Sequence, residues 1–156
     1  MLDRIFPKTF DNTCRGHWLA KWLFLGVVLA RLAMGINSTV NTRLVAVTAD
    51  GIPLDKYDPA AANTVVALFG ISGFLLLLLA LVGILVFVRY RAMIPFMFFL
   101  LLVDQLGRRV LLYLHPIAKS GVATADLGFA FVLTILAATI IGFGLSLVRS
   151  RHTDVK

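Results

Sequence analysis

Four runs of apolar residues, each set off by a polar or basic stretch, organise this sequence. The first covers residues 18–36, the second 59–88, the third 93–114 and the fourth 125–148. Each is near or above the ~20 residues that an α-helix needs to cross a bilayer. The pattern predicts an all-α bundle of four transmembrane helices forming a single domain over residues 1–156. The main structure outside the bilayer is the segment 37–58, between the first two helices.

Local signals set the boundaries. In segment 37–58, Asp50-Gly51-Ile52-Pro53 reads as a turn. Asp58-Pro59 reads as a helix start, with Asp58 as N-cap and Pro59 at the first helical position. The second run contains Phe74 followed by five leucines and is long enough to tilt or project. Arg89-Tyr90-Arg91 forms a tight basic connection, and the third run stops at His115-Pro116. Lys119, Ser120 and Gly121 lead to the fourth. Ala33-Met34-Gly35 offers small residues at signal-cleavage spacing, but Arg31 interrupts the apolar region before them. A retained first helix is expected.

Composition agrees with the pattern. Only 15% of the 156 residues are charged, 60% are hydrophobic, and the mean hydropathy is +0.92. A soluble domain of this size could not cover so much apolar surface. The net charge of +7 would suggest nucleic acid in a soluble protein. Here the basic residues flank apolar runs, so no nucleic acid is expected, and the charge points to topology and anionic headgroups. Nine Lys and Arg lie on one side: Arg4, Lys8, Arg15, Lys21, Arg89, Arg91, Arg149, Arg151 and Lys156. Three lie on the other: Arg43, Lys56 and Lys119. Both termini are therefore expected in the cytoplasm, with Trp18 and Trp22 at the inner interface and Tyr57 and Tyr113 at the outer one.

The sharpest chemical signal is charge within the apolar runs. Asp104 and Arg108 share a helix face, as do Gln105 and Arg109 on an adjacent one. At ~1.5 Å per residue, Arg31 lies about 21 Å along its helix, Asp104 about 18 Å and Arg108 about 24 Å. An unpaired charge there costs ~2.5–3.5 kcal/mol on insertion scales. Asp104 is expected to face the first helix and pair with Arg31, Arg108 or both. The cluster Arg31, Asp104, Gln105, Arg108, Arg109 reads as a structural pair, as a partner or lipid contact, or as an ion or proton site. It holds one acid and three arginines, so surplus positive charge remains.

Two further features are weaker. Ala130, Thr134, Ala138, Gly142 and Ser146 recur every four residues and predict a helix-packing face, within the bundle or toward another subunit. Gly26 and Ala30 form a shorter version. Phe96, Phe98, Phe99 and the leucine run suggest lipid-facing surface, with a quinone, carotenoid or lipid-tail site as the alternative. No metal site is expected: Cys14 is the single cysteine, and His17, His115 and His152 are far apart. No cofactor is predicted, since His17 and His115 should lie at opposite interfaces; a haem or pigment would need one histidine and a partner chain. No phosphate loop, nucleophile elbow or metalloprotease helix occurs.

The layout of four spans, a longer first outer loop and a tight basic second loop is similar to that of several small bacterial families, including the DoxX-like proteins. No shared motif residues carry a function across. The reading is a non-enzymatic integral membrane protein of the bacterial inner membrane: an accessory, assembly or structural subunit of a larger complex, in contact with lipids and with other subunits or itself. The alternative is a small transporter or channel using Arg31, Asp104 and Arg108. A third reading, a lipid- or quinone-acting enzyme, has only His115 and Asp126 as outer candidates.

Overall fold

A computed structural model describes residue 5, residues 17–116 and residues 123–148. Five α-helices and two short 3-10 turns occur in it, with no strand among the described residues. The order is α1 Trp18–Val40, α2 Thr42–Thr48, a 3-10 turn Leu54–Lys56, α3 Pro59–Arg89, a 3-10 turn Arg91–Met93, α4 Ile94–Leu114 and α5 Ala123–Leu147. Arg4, Lys8, Cys14, Arg15, Lys119, Arg149, Arg151, His152 and Lys156 lie outside the described residues, so the charge count at the termini is not addressed by the fold.

Among the described residues, three helices are long and apolar enough to cross a membrane: Trp18–Val40, Pro59–Arg89 and Gly128–Leu147. The chain thus has the makings of an integral membrane protein. α4 is 21 residues long but carries Asp104, Arg108 and Arg109, which separates it from the other three. Large apolar side chains point outward rather than in, among them Ile71, Phe74, Leu75, Leu78, Leu81 and Leu85 on α3 and Ile140 and Ile141 on α5. Water would penalise that surface; lipid tails would not.

The buried stripe of α3 consists largely of small residues: Ala62, Gly73, Ala80 and Gly83, with Val86. This lets α1 lie against it at close range. A Cβ on Gly35 would meet the Leu77 backbone at 2.7 Å, and one on Gly73 would meet Ser38 at 2.8 Å. One on Gly83 would meet the Val28 side chain, also at 2.8 Å. The paired numbers run in opposite directions, so α1 and α3 are antiparallel. α5 runs back along α1 as well: the His17 amide at the start of α1 donates to the Leu145 carbonyl near the end of α5, and Gly128 near the start of α5 abuts Ala49, just past α2. The main core joins α1, α4 and α5 through Phe24, Val27, Val28, Met97, Phe98, Leu101 and Ile135.

Segment 37–58 differs from the expected loop. α1 continues to Val40, and α2 follows directly. The polar side chains there bond within the helix: Thr39 to the Gly35 carbonyl, Asn41 to the Asn37 side chain, Thr42 to the Thr39 carbonyl and Thr48 to the Leu44 carbonyl. The helix therefore runs past Asn37 to Val40 and, after a bend at Asn41, helical structure resumes at Thr42. Ala46 of α2 joins Ile52, Leu54 and Ala62 in a second small core. The turn lies at Gly51, whose φ of 67° is the left-handed conformation glycine adopts without strain. Asp58 caps α3 by accepting from the Ala60 amide at 3.1 Å, with Pro59 at the first helical position.

Candidate functional site

The charged stretch of α4 faces inward across the bundle. Arg31, 4% exposed, reaches from α1 and donates through Nη1 to Asp104 Oδ2 at 2.5 Å. Its other terminal nitrogen lies 3.5 Å from the Leu101 carbonyl. One turn along α4, Arg108 donates through Nε to the other carboxylate oxygen, Oδ1, at 2.9 Å. The Arg108 Nη1 also donates to Ser72 Oγ on α3 at 2.8 Å. Asp104 thus uses both oxygens on arginine, and Arg108 carries the network to a third helix. Exposure increases along it: Asp104 is 23% exposed and Arg108 41%.

Gln105 extends the connection to the fourth long helix. It is buried, and its Nε2 donates to Thr139 Oγ1 of α5 at 3.0 Å. The Thr139 hydroxyl proton is already committed to the Ile135 carbonyl at 2.6 Å. Its oxygen can then only accept, which fixes the amide orientation of Gln105. Gln105 Oε1 is left buried without a partner among the described residues. Within residues 104–108, α4 therefore bonds to α1, α3 and α5.

Arg109 does not join this set. Its guanidinium lies over the Phe129 ring of α5, 4.8 Å from the centroid, in a cation–π contact. The Asp104 centre holds one negative and two positive charges, so its net charge is positive even before Arg109 is counted.

The small-residue ladder on α5 does not form one face. Gly142 and Ser146 are buried, Ala138 packs at the edge of the main core, and Ala130 and Thr134 are exposed. A step of four residues advances about 400° around a helix, a drift of about 40° per step. From Ala130 to Ser146 the drift reaches about 160°, so the two ends point to nearly opposite sides. The buried stripe of α5 is Ile135, Thr139, Gly142 and Ser146. Gly142 is required there because the Phe98 ring of α4 occupies the space of a Cβ. Gly26, by contrast, has open space around it, and Ala30 is only partly buried.

Phe98 is a core residue, not lipid-facing surface. It is wholly buried and meets Phe24 edge-on at 5.2 Å between centroids. Phe99, on the same helix, is 37% exposed. His17 caps α1, accepting from the Leu19 amide through Nδ1. His115 stands at the far end of α4, as that helix's C-cap. Among the described residues no three His, Cys, Asp or Glu side chains come together as a metal site. The side chain of Asp126 lies outside the described residues.

Ser72 and Thr139 are the cluster members that sequence reading missed. Ser72 has a local signal: it lies in Gly70-Ile71-Ser72-Gly73, where small residues mark a close helix approach. Comparison with known protein families, with curated proteins and with solved structures finds no match for this chain.

Proposed function

We propose that this chain is a non-enzymatic protein of the bacterial inner membrane that crosses the bilayer four times, both ends cytoplasmic. It serves there as an accessory, assembly or structural subunit of a larger membrane complex. One observation carries this reading: α4 directs its polar side chains at the other three long helices of the same bundle. Groups committed in this way hold helices in register. They are not free to load and release a substrate.

The charges on α4 are compatible with a fourth span. Asp104 offsets Arg31 and Arg108 inside the bundle. Arg109 is five residues from the end of α4 at Leu114, about 7.5 Å at the usual rise, within snorkelling distance of an interface. Val103, Leu106, Val110 and Leu111 give α4 an exposed apolar side for lipid.

The subunit contact is assigned to the outward half of α5. Ala130 and Thr134 are exposed there, and the Thr134 hydroxyl is turned back onto the Ala130 carbonyl at 2.9 Å. That leaves a shallow strip without an unmet polar group, suited to close approach of a helix. A photo-crosslinking side chain at Thr134 should give one discrete adduct in native membranes, with none from Leu78 on α3. The protein should also purify in mild detergent as a defined oligomer or complex. A clean monomer with no discrete adduct would overturn the reading.

A second reading, a small transporter or channel, draws support from the unpartnered Gln105 Oε1 and the partial exposure of Asp104 beside it. It requires Asp104→Asn to abolish flux in proteoliposomes while insertion continues. Unchanged flux would eliminate it.

A further inference from the structure

A second group of cations lies at the opposite end of α1 from Val40. Lys21 of α1 places its Nζ 5.6 Å from the centroid of the Phe87 ring on α3. Arg91, in the connection after α3, places its guanidinium carbon 5.9 Å from the same ring. The Arg91 Nε donates to the Phe87 carbonyl at 3.1 Å, which fixes the root of the fork and leaves its terminal amino groups to donate elsewhere. Arg89 adds an exposed positive charge two residues away. The ion pairs among the described residues both belong to Asp104, so no described carboxylate balances Lys21 or Arg91.

Both cations lie within about 6 Å of one ring centroid, so they stand at most about 12 Å apart and repel each other, which the ring offsets only in part. An anion bridging them would relieve the repulsion. The surroundings specify what kind. Lys21 also lies 5.6 Å from the ring of Trp22, which is 56% exposed, and Trp18 beside it is exposed too. Exposed indoles belong at the headgroup level of a bilayer. Leu85 and Val88, in the last turns of α3, are exposed and apolar, offering a surface for acyl chains below that level.

We propose that Lys21 and Arg91, gathered on Phe87, bind the phosphate of an anionic phospholipid headgroup. The Arg91 fork supplies paired N–H donors to phosphate oxygens, and Lys21 supplies a compact charge from the neighbouring helix. Bound lipid then bridges α1 to the α3–α4 connection. This does not depend on the subunit reading above, because its residues lie away from α5 and the Asp104 centre.

The test uses the full chain in nanodiscs of phosphatidylcholine with a graded fraction of phosphatidylglycerol, and native mass spectrometry of the released protein. The wild type should retain phosphatidylglycerol at collision energies that strip phosphatidylcholine. Lys21→Gln/Arg91→Gln should lower that preference on the order of tenfold or more. Arg89→Gln, off the ring, should leave most of it, and so should Lys21→Arg/Arg91→Lys. The double glutamine variant should show wild-type helicity in pure phosphatidylcholine, which separates loss of the site from loss of the fold. Equal retention by the double glutamine variant would overturn the proposal. So would an equal loss in Arg89→Gln, which would mean diffuse charge, or displacement of the lipid by millimolar inorganic phosphate, which would mean a free-anion site.

Discussion

Asp104 accepts Arg31 of α1 on one carboxylate oxygen and Arg108 of its own helix on the other. Removing the carboxylate leaves Arg31 buried with only the 3.5 Å approach to the Leu101 carbonyl. Breaking one side of a buried ion pair typically costs about 3–5 kcal/mol, whereas replacing both sides by apolar groups is often close to neutral. Asp104→Ala should therefore lower stability in detergent by about 3–5 kcal/mol, read from denaturant-induced unfolding. Arg31→Met/Asp104→Leu should recover most of that loss. A double variant less stable than the single one would show that the charges do more than balance each other.

The existence of this centre was legible because charge is rare in apolar runs and depth along a helix is simple arithmetic. Its extent was not. Ser72 and Thr139 are hydroxyls inside apolar runs, where they look like ordinary packing until a donor from another helix arrives. α2 was illegible for a related reason: Asn and Thr signal loops by composition, yet Thr39 and Thr48 bond back onto their own helices and Thr42 bonds the Thr39 carbonyl across the bend. Phe98 read as lipid-facing because nothing on its own helix announces Gly142, whose missing side chain makes room for the ring. The four-step ladder on α5 read as one face because a short window hides a drift that grows with length.

Gln105 and Thr139 should respond unequally. Thr139→Val removes the acceptor from a buried amide that already has one unsatisfied oxygen. Leaving a buried donor unpaired costs about 1–3 kcal/mol. Gln105→Leu removes both the donor and the orphaned oxygen, and the Thr139 proton stays on the Ile135 carbonyl. That variant should be within about 1 kcal/mol of wild type, or more stable. Urea or SDS unfolding of the two variants checks the order, and a larger loss from Gln105→Leu would contradict it.

The glycines separate in the same manner. Gly35→Ala would set a methyl against the Leu77 backbone, which cannot rotate away, so α1 and α3 must part. Overpacking of this kind costs about 1–3 kcal/mol. Gly26→Ala meets open space within α1 and should be neutral, or stabilising by up to about 1 kcal/mol through helix propensity. Melting temperatures in one detergent compare the two directly. Equal losses would mean that α1 does not cross α3 at Gly35.

The fourth span can be decided by sidedness. Lys56 precedes α3 and Arg89 ends it, so on a crossing α3 they face opposite compartments. His115 follows α4. If α4 also crosses, His115 shares a compartment with Lys56; if it lies along the surface, His115 stays with Arg89. The check starts from Cys14→Ser and adds one cysteine at a time at Lys56, Arg89 or His115. Each is treated with a membrane-impermeant maleimide on intact cells and then after lysis. Positions 56 and 115 should label on intact cells and position 89 only after lysis, which is the sidedness that the charges flanking α3 require. Labelling of position 115 together with 89 would reduce the chain to three crossings. It would also carry Asp104 and Arg108 to the membrane surface while Arg31 stays within the crossing α1, which is incompatible with the Arg31–Asp104 pair.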